Sequence, residues 1–281
     1  METQLEHIRE QQKQSWDLFS PGWKKWDDYM MDFLKPAGDE IIRCLNLSES
    51  DAVLDVATGT GEPGLTIAGR VKNGKVIGTD LSEGMLAVAQ AKATEHGVRN
   101  YEAQVADVCE LPFADASFNA ISCRMGFMFF PDLLLAAHEM YRVLKPGGRL
   151  AAAVWSGPEH NAWITTIMGP ITKNVVTPPL PPNAPGMFRC AAPGLLANLL
   201  RQAGFSDVTE QEITGKARYK TADTYWEIMT EVGAPIVAAM SKADEATKET
   251  IKTQTFAGVR QQCPDGDATL GFGALVLYGR K

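Results

Sequence analysis

The spacing of apolar positions changes near residue 50. Over residues 3 to about 46 apolar side chains recur every three or four positions, with Trp23, Trp26 and Met30 on one face, which predicts helices. Ser20-Pro21-Gly22 and Pro36 interrupt that period, so breaks are expected there. From Val53 the pattern becomes short apolar runs, at 53–57, 75–80, 101–107, 118–123 and 149–155, separated by stretches of helical period such as MLAVAQAKATEHG. Strand alternating with helix predicts an α/β fold built on a doubly wound, mostly parallel sheet. The helical run LLLAAHEMYRVL stops at Lys145-Pro146-Gly147-Gly148, which turns the chain into the fifth strand.

Beyond Trp155 the rhythm loosens. A proline-dense stretch at 176–186 lies between helical patterns and reads as a semi-rigid surface connection. Two further strands are expected in DVTEQEITGKARY and ATLGFGALVLYGR, with helix between them, giving seven strands in all. The last is expected to insert antiparallel at a sheet edge.

Composition narrows the function. A chain of 281 residues accommodates one full α/β domain with a modest accessory part. A net charge of -7 and a pI near 5.2, with no long basic run, argue against a nucleic-acid partner, which draws on clustered Lys and Arg. The polar start METQLEHIREQQKQ is unlike a secretory leader and no segment has the length of a membrane span, so a cytoplasmic protein is expected. Five cysteines form no CxxC pair, so no metal site is read and buried free thiols are expected. Oligomeric state is left open.

The stretch VLDVATGTGEPG, residues 53–64, carries the chemistry. Gly59, Gly61 and Gly64 spell GxGxxG between a strand and a helix, and Asp80 ends the next strand nineteen positions after Gly61, where a carboxylate meets ribose hydroxyls. That favours an adenosine-bearing ligand. A pyrophosphate would need backbone N–H donors and no neighbouring negative charge. Here Asp55 precedes the loop, Glu62 sits inside it and Pro63 has no N–H, so a cationic ligand suits it better. S-adenosylmethionine carries a sulfonium and an ammonium and no phosphate. A nicotinamide-dependent oxidoreductase, suggested by the glycines alone, is the competing reading.

VLDVATGTGEPG, VIGTDLSEGML, VADVCELPFADASFNAI and YRVLKPGGRL, in that order, resemble the motif set of Rossmann-like (class I) S-adenosylmethionine-dependent methyltransferases, in the group similar to the UbiE-like quinone methylases. The resemblance is close over residues 50–155. It implies a cofactor site in which Asp55, Ala57, Thr58, Gly59 and Gly61 surround the methionine part. Asp80 would accept both ribose hydroxyls, Leu81 and Met85 would sandwich the adenine, and Asp107 with the Val108 backbone would take its amino group. Cys123 and Arg124 close the fourth strand; Arg124 is placed to reach either the cofactor carboxylate or an acidic acceptor. It also implies an N-terminal helical lid, residues 1–48, on a methyltransferase domain, 49–281, with substrate-cap insertions near 156–200 and 221–262.

The expected reaction is methyl transfer to an oxygen or carbon of a small aromatic or apolar metabolite. Trp16 and Trp23 of the lid, with Phe127, Met128 and Trp155, are the expected acceptor lining. Many similar enzymes carry a histidine where this chain has Met128 or Phe129. That leaves His160, after the fifth strand, as the candidate general base, needed only if the acceptor must lose a proton. A noncatalytic cofactor-binding partner subunit is the remaining alternative.

Overall fold

The computed structural model describes residues 2–176 and 184–281, so most of the proline-dense stretch at 176–186 lies outside the described residues. The N-terminal segment forms α1 (Glu2–Lys25) and α2 (Asp27–Leu45). The sheet strands are β1 (Ala52–Val56), β2 (Lys75–Asp80), β3 (Tyr101–Val105), β4 (Phe118–Arg124) and β5 (Leu144–Trp155), followed by β6 (Ser206–Lys220) and β7 (Ala268–Arg280). Their spatial order is β3-β2-β1-β4-β5-β7-β6, with β7 antiparallel to both of its neighbours. The doubly wound, seven-stranded, mostly parallel sheet expected from the alternation of elements is therefore present. The crossover helices are α3 (Gly64–Arg70), α4 (Glu83–Glu95) and α5 (Leu133–Val143). Later helices are α6 (Ala162–Asn174), α7 (Leu195–Gln202), α8 (Ala222–Val232), α9 (Ala234–Met240) and α10 (Glu245–Gln262).

Two expectations need correction. The last strand does not form the edge: β7 is inserted between β5 and β6, and β6 is the outer strand. Its run from Ala274 to Leu277 is buried throughout, as a central strand covered on both faces requires. The N-terminal helices also run through Pro21 and Pro36. Pro21 has no N–H for the Asp17 carbonyl, and the Ser20 hydroxyl donates to that carbonyl instead, at 2.9 Å. The break falls at Trp26, whose indole N–H is drawn 2.8 Å from Glu231 of α8.

α1 and α2 differ in how they are held. α2 buries eight residues, including Met30, Phe33, Leu34, Ile41 and Leu45, and joins the main core. Residues 4–18 of α1 include no buried side chain. Their attachment is instead polar and aimed at the rim of the sheet's carboxyl edge: Lys13 pairs with Glu83 at 3.2 Å, and Asp17 accepts from Ser82 Oγ at 2.6 Å and Gly84 N at 3.1 Å. A helix held by its polar rim opens at lower cost than one that carries core. Among the described residues no helix is long and apolar enough to cross a membrane.

Candidate functional site

The order β2-β1-β4 makes the gap between β1 and β4 the point where the winding reverses, and a crevice opens there at the strands' carboxyl ends. The chain after each of the two strands turns through a left-handed residue, Ala57 at φ +53° and Met125 at φ +60°. Both line the crevice, and side chains other than glycine adopt that conformation rarely and at some cost. The two turns meet closely: a Cβ on Gly126 would lie 2.7 Å from Ala57 Cβ and 2.9 Å from Cys123 Sγ.

The glycine loop is organised from below by Asp55. This fully buried carboxylate accepts from Ser122 Oγ at 2.6 Å, Thr58 Oγ1 at 2.6 Å and Gly64 N at 3.0 Å. Burial pushes its carboxyl up to about 6, partly offset by those three bonds. Asp55 thus shapes the loop rather than the crevice wall. Gly61, at φ +105°, is also turned away: a Cβ there would meet Leu65 Cδ1 at 2.8 Å. Gly59, at φ +55°, is different, since a Cβ would meet nothing within 4 Å and the residue lines the crevice. It is where a ligand can approach the backbone.

Five of the loop's amide donors are already committed. Thr58 N donates to Thr79 O, Gly59 N to Asp80 Oδ2, Gly61 N to Thr58 O, Gly64 N to Asp55 and Leu65 N to Gly61 O. Pro63 has none to give. A linked phosphate finds little here of the N–H cradle it needs.

Asp80, half-buried at the end of β2, faces the crevice and takes one backbone N–H on each oxygen, from Gly59 and Ser82, both at 3.0 Å. Burial raises its carboxyl above the usual range, against those hydrogen bonds. Leu81, Met85, Asp107 and Val108 line the same end, with Ala57 and Thr58. Asp107 Oδ1 caps Cys109 N at 2.9 Å. Its Oδ2 lies 2.5 Å from Arg9 Nε of α1, without the alignment of a hydrogen bond, and neither atom has another partner.

The other half of the crevice is apolar. Trp16 stands edge-on to Phe129, with ring centroids 5.2 Å apart, and to Trp23 at 6.1 Å. Trp155 and Trp163 pack at 4.9 Å, and Met30 and Leu34 of α2 complete that wall. Trp16, Trp23, Trp155 and Arg124 therefore stand where the sequence reading puts them, on the crevice.

Phe127, Met128 and Cys123 do not. All three are fully buried, since the short 3-10 turn Phe127–Phe129 drives its first two side chains into the core and leaves Phe129 on the crevice. Burial also pushes the Cys123 thiol well above its ordinary range. His160 does not line the crevice either. Asn161, fully buried, donates to Ser156 O, Gly157 O and Gly273 O at 2.9 to 3.1 Å, tying the chain after β5 to β7. This directs His160 Nδ1 onto Glu212 of β6, at the surface and off the crevice. Pairing with Glu212 raises the imidazole and lowers the carboxyl.

Residues the sequence reading missed include Gln12, Phe130, Ile164, Met187 and the α8–α9 corner from Val232 to Pro235. None belongs to a motif. Their place on the wall is decided by tertiary packing.

A glycine crook with a carboxylate at the next strand's end, at the reversal point of a doubly wound sheet, is an arrangement that suits a nucleoside cofactor. Residues 53–148 match a family described as a methyltransferase domain. A demethylmenaquinone methyltransferase of Listeria monocytogenes is 38% identical over 125 residues, covering 44% of this chain and 53% of that protein. One from Thermus thermophilus is 42% identical over 113 residues, covering 40% of this chain and 50% of that protein. The chain thus spans about half the length of the curated relatives it matches. The crystal structure of the YcgJ protein from Bacillus subtilis shares the fold, with a TM-score of 0.60 and 20% identity over 88% of this chain and 98% of that one. Residues 53–148 are thus similar to a methyltransferase domain, and the relatives that match this part of the chain are demethylmenaquinone methyltransferases.

Proposed function

We propose that the chain transfers a methyl group from S-adenosylmethionine to an oxygen or carbon atom of a small, flat, apolar acceptor. The observation that carries the cofactor half is the loop itself. Five of its amides are spent within the protein and the charged side chain that it puts on the crevice, Glu62, is acidic, which suits a cationic donor and opposes linked phosphates. The same observation speaks against the oxidoreductase alternative.

When bound, the cofactor supplies an electrophilic methyl group on a sulfonium. The protein's part is to hold, orient and dry the reactants. Asp80 presents its free lone pairs to the ribose hydroxyls, and Leu81, Met85 and Val108 give the adenine an apolar slot beside Asp107. Trp16, Trp23, Phe129, Trp155 and Trp163 exclude water from the acceptor half, align a ring and offer π faces to a cation. Among the described residues the crevice lining includes no histidine, lysine, cysteine or tyrosine. An acceptor that ionises by itself fits this wall better than one needing a protein base.

The activity for which the relatives are named suggests a quinone-derived ring as the acceptor. Much of the acceptor wall, from α1, α2 and the chain after 148, lies outside the matched segment, so the proposal names the class, a flat apolar ring. Incubating the protein with S-adenosylmethionine and a panel of dihydroxynaphthalenes, phenols and small amines tests it. Release of S-adenosylhomocysteine is expected with the ring hydroxyl compounds and not with the amines. No release with any ring compound would return the chain to the class of noncatalytic cofactor-binding subunits.

A further inference from the structure

Helix α1 is anchored at one end and held by polar contacts along the other. At the anchor, a Cβ on Gly22 would stand 2.4 Å from the Glu231 carbonyl oxygen of α8, and the Glu231 carboxylate accepts from Lys25 Nζ at 2.7 Å and Trp26 Nε1 at 2.8 Å. Toward the N-terminus the contacts change in kind. Arg9, Lys13 and Asp17 are spaced by four, so one face of the helix carries all three. They meet, in turn, Asp107, Glu83 and the start of α4 at Ser82 and Gly84. Gln12 and Trp16 stand on the adjoining stripe and line the crevice.

The contact at Asp107 differs from the other two. Glu83 is 70% exposed at the rim, whereas Asp107 is 11% exposed and lines the crevice beside Val108. Oδ1 of Asp107 accepts from Cys109 N, and Oδ2, closed to solvent, has Arg9 Nε 2.5 Å away. Both oxygens therefore have protein partners. An amino group approaching Oδ2 from the crevice meets a guanidinium, which offers donors only, where it needs an acceptor.

We infer that Arg9 gates the nucleoside end of the crevice: it holds Asp107 shut, and an adenine amino group reaches that carboxylate only when Arg9 leaves it and residues 4–18 swing outward about the anchor at Gly22–Trp26. The inference rests on the cofactor reading above and adds to it a control on cofactor exchange. Lifting residues 4–18 forfeits ion pairs, rim hydrogen bonds and the edge contact of Trp16 with Phe129, but no buried side chain. Arg9 and Lys13 are 36% and 35% exposed, so dissolved salt screens both pairs and loosens the gate.

The test is the binding kinetics of S-adenosylhomocysteine on the immobilised full chain, followed by surface plasmon resonance. Salt is raised from about 20 to about 300 mM, which shortens the screening length from roughly 20 Å to roughly 6 Å. This ligand has no net charge, so salt changes its own steering little. The unaltered protein is expected to associate at least about fivefold faster at the higher salt. Arg9→Gln is expected to associate that fast at both salt levels, with equal or tighter affinity, and Arg9→Lys, which keeps the charge, to restore the salt dependence. Thermal melting confirms that each variant is folded. Slower association or a complex weakened about tenfold in Arg9→Gln would make Arg9 a holder of the cofactor. Association unchanged by the substitution, or by salt, would leave the contact without a gating role; each of these results overturns the gate. If the unaltered protein binds no S-adenosylhomocysteine, the cofactor reading itself fails, an outcome separate from these.

Discussion

Asp80→Asn is expected to weaken S-adenosylmethionine binding about a hundredfold, measured by calorimetry, with the cooperative melt kept and lowered by only a few degrees. The carboxylate is anchored by the amides of Gly59 and Ser82, one on each oxygen, so its position does not depend on the ligand. Its remaining lone pairs face the crevice. A hydrogen bond to a charged group contributes about 1.5–3 kcal/mol, so losing one or both ribose contacts accounts for roughly two decades of affinity. Asparagine keeps the shape but must aim an NH2 at one of the two amide donors, and the crevice loses the acceptor that is displaced. A hundredfold loss with the cooperative melt kept places the effect in the ligand; a collapsed melt would place it in the loop.

Removing residues 2–18 is expected to abolish turnover while leaving a cooperatively folding domain, whereas removing residues 2–34 is expected to unfold it. The contrast follows from burial. Residues 4–18 bury no side chain, and their polar contacts run to Asp107, Glu83, Ser82 and Gly84 around the nucleoside end. Trp16, in the same stretch, roofs the acceptor half against Phe129. The longer deletion takes Met30, Phe33 and Leu34 as well, each 4% exposed in the core. Large-to-small changes at such sites cost roughly 2–5 kcal/mol each, and three together exceed the margin of most domains. Circular dichroism and unfolding in urea separate the two outcomes. Full activity without residues 2–18 would deny α1 a role as lid, and a folded 35–281 fragment would deny α2 its role in the core.

The lid expected from residue 1 to 48 is thus divided, with α1 as the proposed lid and α2 as part of the domain. The sequence showed both as amphipathic helices and could not show this difference. Amphipathic spacing reports which face is apolar, not what lies against it. Pro21 misled for a related reason: proline removes a donor, and the neighbouring Ser20 hydroxyl supplied another.

What was legible followed from local chemistry. The glycine crook, Asp80 and Asp107 occupy positions fixed within a few residues of their strands, so the motif spacing carried them to one crevice. What was not legible depended on long-range packing. His160 follows β5 as expected, but Asn161 ties that turn to Gly273, more than a hundred residues away, and so decides which way the imidazole faces. Met128 and Phe129 are adjacent in sequence, yet one turn of 3-10 helix buries the first and exposes the second to the crevice. Trp163 and the α8–α9 corner reach the wall only because α6 and α8 fold back over the sheet.

The account depends on the crevice at the head of β1 being built for a cationic methyl donor. Calorimetry of the unaltered protein with S-adenosylmethionine and with NAD, under one set of conditions, tests this most directly. S-adenosylmethionine is expected to bind at least about a hundredfold more tightly, and a clear preference for NAD would contradict the account.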